Sequence, residues 1–257
     1  MIIIRYLLVV SLSLSYVHSS RRSTSRTPRI IGGRRVLVEE IPYMVNIRSN
    51  GSFHCGGSLI TSKCVVTAAH CVKYSKPKEL AVRAGVTYLR ERRNLRMVSR
   101  IIKHPKYNIK TINFDVAILV LKSPLRGRNI RTIPLAFRPP PNGSIVRVSG
   151  WGLERENGYI SEQLKSAQLG VISRRRCANF YKGLRNITDA MFCAFVPGQR
   201  DACQGDSGGP AVLDNRLVGI VSWGRRSQCA RRKSPGVYVN IAHVKHWFDA
   251  VIPKHCY

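Results

Sequence analysis

Acid is scarce in this chain. Only 13 Asp and Glu face 43 Lys and Arg, a formal net charge of +30 over 257 residues. A field of that sign attracts polyanions in a salt-dependent way, so anionic glycans are candidate partners. Taken singly, the basic runs at 90–96 (RERRNLR), 173–176 (SRRR) and 231–233 (RRK) read as solvated loops. No nucleic-acid-binding motif accompanies them, which argues against sequence-specific readout of DNA or RNA. Other absences narrow the field further. There is no CxxC pair and no cysteine–histidine set with zinc spacing, so no metal and no cofactor is expected. Internal repeats and long low-complexity segments are missing. So is any apolar run long enough to span a bilayer comfortably. The run at residues 6–16 is short, follows Arg5 and precedes Ser19 and Ser20. It reads as a secretory signal peptide over 1–19; the alternative is a membrane anchor.

What is present fits a secreted globular protein. Hydrophobic content is 44% and charged content 22%, both ordinary for a packed domain. Eight cysteines in an extracellular chain suggest disulfides. Asn50, Asn142 and Asn186 each begin a glycosylation sequon. Short apolar runs at 45–47, 65–67, 118–121, 144–148, 217–222 and 237–241 are punctuated by Gly, Pro and Asn. That pattern predicts antiparallel β structure in barrels or sandwiches. Ile241, Val244, Phe248, Val251 and Ile252 recur instead at helical spacing and predict a C-terminal amphipathic helix. The patch RPPPNG at 138–143 suits an inter-domain connection.

Three segments carry chemistry. Gly205-Asp206-Ser207-Gly208-Gly209-Pro210 sets one serine in a turn whose glycines let amide N–H groups converge on one point. Thr67-Ala68-Ala69-His70-Cys71 follows an apolar strand, and its small residues allow close packing around an imidazole. Asp115 opens the strongly apolar run VAILVL. A buried carboxylate there needs a partner, and the Nδ1–H of His70 would supply one. Asp115 would then orient His70, and His70 would take the proton of Ser207.

With these motifs the chain resembles a trypsin-like serine protease of the chymotrypsin family, over residues 30–257. Cys55-Gly56-Gly57-Ser58, Gly150-Trp151-Gly152, Ser222-Trp223-Gly224 and Pro235-Gly236-Val237-Tyr238 match as well. The resemblance implies an all-β fold: two six-stranded antiparallel barrels, about 30–137 and 138–257, with the active site between them and a C-terminal helix. It implies peptide-bond hydrolysis by Ser207, His70 and Asp115, with the N–H groups of Gly205 and Ser207 as the oxyanion hole. Ser222 would also bond Asp115, and Ser222, Trp223 and Gly224 would pair with the substrate backbone. Asp201, with Gly224 and Gly236 keeping the pocket open, would select Arg or Lys. Ala202 stands where many relatives have serine, which favours Arg over Lys.

The same resemblance implies a zymogen. Residues 20–29 would be a propeptide, and cleavage after Arg29 by an upstream protease or by the protein itself would free the Ile30 amine to pair with Asp206. The alternative is that Arg29-Ile30 is only a loop before the first strand. Protein or peptide substrates and protein protease inhibitors are the implied partners. Cys55–Cys71, Cys177–Cys193 and Cys203–Cys229 are the implied disulfides. Cys64 and Cys256 remain, and an extra bond between them is expected; two free thiols are the alternative.

Several departures stand out. Four residues separate Gly224 from Cys229 where many relatives have two, and Gln228 replaces a usual glycine. Phe53-His54 reverses the common order, which puts a zymogen contact from that histidine to Asp206 in doubt. Val86 argues against the calcium loop of some relatives, and Pro235 against their sodium site. A rival reading keeps the scaffold but not the activity: a silent binding protein that captures anionic partners.

Overall fold

A computed structural model describes residues 33–154, 158–225 and 228–257. The expected signal peptide, the propeptide and the Arg29-Ile30 bond lie outside them.

Six strands form the first barrel: β2 (Met44–Ser49), β3 (Ser52–Leu59), β4 (Cys64–Thr67), β5 (Leu80–Ala84), β6 (Leu95–Lys103) and β7 (Ala117–Leu121). They run in the order β2-β3-β4-β7-β6-β5 and close where β5 pairs with β2. The second barrel holds β8 (Ile145–Gly150), β9 (Lys165–Ile172), β10 (Met191–Phe195), β11 (Pro210–Leu213), β12 (Arg216–Trp223) and β13 (Gly236–Asn240). Its order is β9-β10-β13-β12-β11-β8, closed by β8 on β9, and all these pairs are antiparallel. A short β1 (Arg34–Arg35) is added outside this ring, on Ser166 and Lys165. Closure removes exposed sheet edges, which a chain of many short strands must otherwise protect.

Turn chemistry explains two of the hairpins. Asn50 and Gly51 link β2 to β3 at φ of +48° and +83°; Asp214 and Asn215 link β11 to β12 at +47° and +55°. Positive φ at both central residues matches the right-handed twist of the flanking strands, and Asn, Asp and Gly reach it at least cost. All three sequon asparagines, Asn50 among them, are exposed.

The alternating apolar residues fill the barrels as their period requires. Val45, Ile47, Val66, Val82 and Ile118 are buried in the first, and Val146, Val148, Leu169 and Ala211 in the second. The chain reaches the second barrel before the proline patch: Leu135 bridges to Leu217, and Ala136 lies in that core.

Two α-helices stand among the described residues. One, α1 (Arg174–Tyr181), occupies the basic run read from sequence as a solvated loop. Ser173 caps it, its hydroxyl accepting from the Arg176 N–H at 3.3 Å, while Cys177 and Tyr181 bury its inner face. The arginines obscured a four-residue apolar spacing anchored by a good N-cap. The other, α2 (Ile241–His255), packs on β12 and buries Ile241, Val244 and Phe248 in a core cluster that draws residues from both barrels. Burial of a side chain the size of Phe248 contributes about 1.5–3 kcal/mol.

All eight cysteines are paired: Cys55–Cys71, Cys177–Cys193, Cys203–Cys229 and Cys64–Cys256. The last spans 192 residues and ties the end of α2 to β4. A cross-link over so long a loop removes much of the freedom of the unfolded chain. Replacing Cys64 and Cys256 together by alanine should lower unfolding stability by about 2–4 kcal/mol. Equilibrium denaturation under non-reducing conditions measures it; an unchanged midpoint refutes it.

Candidate active site

Asp115 follows Phe114, whose φ of +52° turns the chain sharply just before β7. Its carboxylate is 1% exposed and accepts three hydrogen bonds. The backbone N–H of His70 donates to Oδ1 at 2.8 Å, and His70 Nδ1 lies 2.7 Å from Oδ2. The Ser222 hydroxyl donates to Oδ2 at 2.6 Å. An ionised carboxylate only accepts, so Nδ1 carries the imidazole proton and Nε2 is left as a base. His70 sits in a 3-10 turn directly after β4, and the Cys55–Cys71 bond fixes the neighbouring residue to β3.

Ser207 lies opposite, on the turn entering β11, and lines one cleft with His70. Its position is fixed by the backbone. Its carbonyl accepts from the Gly56 N–H at 2.9 Å across the barrel interface, and the Gly208 N–H donates to Val221 at 2.8 Å. Gly205 and Gly208 take φ of +92° and +79°, and a Cβ on Gly208 would collide with Thr67 and Gly56. The GDSGG motif thus meets two steric demands at once.

The cleft, about 550 Å³, runs down to Asp201 between the walls at 221–225 and 228–236. Asp201 is 3% exposed and accepts from the N–H groups of Ala202 (2.8 Å) and Ala230 (3.1 Å), with a further backbone bond from Gly236. Burial nevertheless pushes its carboxyl up to about 8, against the pull of those donors. A Cβ on Gly236 would press on both Asp201 and the Tyr238 hydroxyl. Gly224 and Ala202 border the same space, and Trp223 packs edge-on to Tyr181 at 4.8 Å. Residues 226–227 of the lengthened wall lie outside the described residues; Gln228 lines the cleft.

A third carboxylate, Asp206, points away from the cleft. It is fully buried and accepts from the N–H groups of Gly152 (2.8 Å) and Cys203 (3.0 Å). Burial raises it to about 6, while the nearby Lys165 charge pulls it down. Side chains at Gly150 or Gly152 would overlap this carboxylate, which explains the GWG motif. His54 makes no bond to Asp206; its Nε2 lies 2.7 Å from the Cys71 carbonyl oxygen. Phe53 packs edge-on to Trp151 instead, at 6.2 Å.

One residue of this region lies outside every motif read from the sequence, and another lies in a motif that gave it no role of its own. Lys165 is a buried cation paired with Glu154 beside Asp206, at the start of β9, outside the apolar runs read from sequence. The Tyr238 hydroxyl is buried next to Asp201 with no hydrogen-bond partner among the described residues. The sequence signal for Tyr238 was the PGVY motif that contains it.

Cys55, His70 and Cys71 lie close enough together to suggest a metal site, but the two sulfurs are bonded to each other and offer no thiolate. No helix among the described residues is long and apolar enough to cross a membrane.

Two closed antiparallel barrels with a serine, a carboxylate-bound histidine and a pocket carboxylate between them define a serine protease of the chymotrypsin fold. Comparison with known proteins agrees. The trypsin family model matches residues 30–248. Hypodermin-B of Hypoderma lineatum is 41% identical over 222 residues, 85% of this chain and 86% of its own. Trypsin epsilon of Drosophila erecta is 39% identical over 224 residues, 86% of each. Among solved structures, mouse neuropsin, a serine protease expressed in the limbic system of the brain, superposes with a TM-score of 0.79 at 31% identity. That match covers 86% of this chain and 98% of neuropsin. The chain belongs to the trypsin family of serine proteases.

Asp115→Asn keeps the shape of the site but presents an amide that favours the wrong imidazole tautomer. Turnover at neutral pH should fall by roughly 10⁴. Steady-state kinetics on a peptide ester or amide measures it; a loss below tenfold would contradict the assigned role of the Asp115–His70 bond.

Proposed function

We propose that the protein is a secreted endopeptidase, activated by cleavage after Arg29, that hydrolyses peptide bonds after Arg in preference to Lys. The observation that carries this reading is Asp201, a buried carboxylate at the base of the cleft that holds Ser207 and His70. A substrate guanidinium supplies the cation that the site otherwise lacks among its lining residues near Asp201, and it pairs bidentately. Lysine is a point charge and would need a further acceptor; Ala202 offers no hydroxyl.

In this mechanism Ser207 Oγ attacks the carbonyl carbon of the scissile bond. His70 Nε2 takes the hydroxyl proton, and Asp115 stabilises the resulting imidazolium. The N–H groups of Gly205 and Ser207 receive the oxyanion; one such donor is worth roughly 10²–10³ in rate. His70 passes its proton to the leaving amine, and water releases the acyl group by the reverse sequence. Ser222, Trp223 and Gly224 hold the substrate backbone as a short added strand.

Activation follows from Asp206. Its burial beside glycines leaves a site suited to an ammonium, which the new Ile30 terminus would provide. Such a pair forms only with good geometry, since both charges leave water. The leader at 1–19, the four disulfides and the exposed sequons support secretion.

The test is the protein cut after Arg29 and assayed on matched arginyl and lysyl peptides. Arginine should be favoured by ~1–2 kcal/mol, the scale of one hydrogen bond to a charge, or about 5- to 30-fold in kcat/KM. Equal turnover removes the preference, and no turnover of either removes the reading. The cut Ile30→Gly protein should be nearly inactive; full activity would remove the activation step.

Asp201 also predicts a pH dependence. Burial raises its carboxyl to about 8, and a bound amidinium stabilises only the ionised form. Binding of benzamidine below that pH should therefore release a proton, and its affinity should rise with pH by up to about tenfold per unit, then level off above Asp201's value. Calorimetry in buffers of different ionisation enthalpy reads the proton; a buffer-independent enthalpy at neutral pH would contradict it.

A further inference from the structure

The rim of the cleft differs in charge from its base. Besides Asp201, the cleft contains no other acid among its described lining residues, while Lys73, Arg185 and Arg225 stand around it. Three adjoining hollows continue the pattern. One shares Arg185 and adds Lys110; a second shares Arg185, Trp223 and Arg225; a third, of about 600 Å³, shares Arg225 and adds Lys182, Arg232 and Lys233. None of the three is lined by a carboxylate among the described residues. The nearby Asp189 is paired with Arg174.

The two central arginines are held rather than loose. The Arg185 guanidinium stacks over the Trp223 ring at 4.7 Å, and its Nη2 donates to the Lys110 carbonyl at 3.4 Å. Arg225 donates to the Phe180 carbonyl at 2.7 Å and lies 5.8 Å over the Tyr181 ring. Fixed cations lose little side-chain entropy when a carboxylate arrives, so more of the attraction appears as binding. Carbonyls and ring faces do not cancel their charge.

We propose that this rim makes the protein selective for substrates carrying Asp or Glu within a few positions of the scissile arginine. The proposal rests on the arginyl specificity assigned above and adds the class of its substrates: acidic segments interrupted by arginine. Basic segments are disfavoured by the same field, including arginine clusters such as those of this chain at 90–96 and 174–176.

Internally quenched peptides with one arginine, flanked on both sides by Ala, by Asp and Glu, or by Lys, test it with the Arg29-cleaved protein. At low ionic strength the acidic peptide should exceed the neutral one in kcat/KM by roughly 3- to 10-fold, the sum of two or more exposed charge contacts. The lysine-flanked peptide should fall below the neutral one, and all three should converge as salt is raised. In Lys73→Gln/Arg185→Gln the acidic-to-neutral ratio should move toward one, while Arg185→Lys should keep it. An acidic-to-neutral ratio at or below one, with the neutral arginyl peptide still cut, overturns the proposal alone. Failure to cut any arginyl peptide overturns the underlying reading, and the proposal with it. A ratio of one together with heparin retention that the double variant loses would assign the rim to a sulfated glycan and overturn the proposal.

Discussion

The carboxylate of Asp115 is the point on which both barrels depend. It sits at the mouth of β7 with almost no contact with water, and a charge so placed is tolerated only if donors surround it. Two donors come from His70 in the first barrel and one from Ser222 in the second. The same three bonds therefore satisfy a buried charge, select one tautomer of the histidine and join the halves of the molecule beside the cleft. Loosening any of them leaves a buried charge one donor short, so the geometry of the site is tied to the stability of the fold.

The scarcity of acid gives the other buried carboxylates their meaning. With 13 acids against 43 bases, three Asp side chains are buried around one catalytic turn. Asp201 and Asp206 are each held by backbone N–H groups, and burial lifts both above the ordinary carboxylate range. Sites of this kind retain capacity for a cation. Under the proposed function the partner of Asp201 would come from a substrate, and that of Asp206 from Ile30, with Lys165 close by.

Much of this was legible in the residues. The short apolar runs at 45–47, 118–121 and 237–241 placed strands correctly because short β-branched runs bounded by turn formers are a local signal, and the spacing from Ile241 to Phe248 placed α2 through an equally local one. His70, Asp115 and Ser207 were readable through their small and apolar neighbours, which geometry alone demands. The parts that stayed hidden depend on distant partners. Ser173 caps a helix whose arginines look like loop. Burial of Lys165 depends on Glu154 and Asp206, which lie 11 and 41 positions away in sequence yet meet it in space. The bond of His54 to the Cys71 carbonyl follows from the path of β3, which residue order does not show. That Asn50-Gly51 closes a two-residue hairpin also places one sequon at a tight, exposed corner.

The Cys64–Cys256 bond has a meaning beyond stability. It joins a residue in the first barrel to the penultimate residue of the chain, 192 positions on. Any single break in the backbone between them leaves two pieces still covalently attached. Each piece then stays at high effective concentration near the other, so a nicked molecule can close its barrels again without a search through solution. In a chain studded with arginine, a cut between residues 64 and 256 would therefore be a survivable injury, a hidden break visible only once the disulfides are reduced.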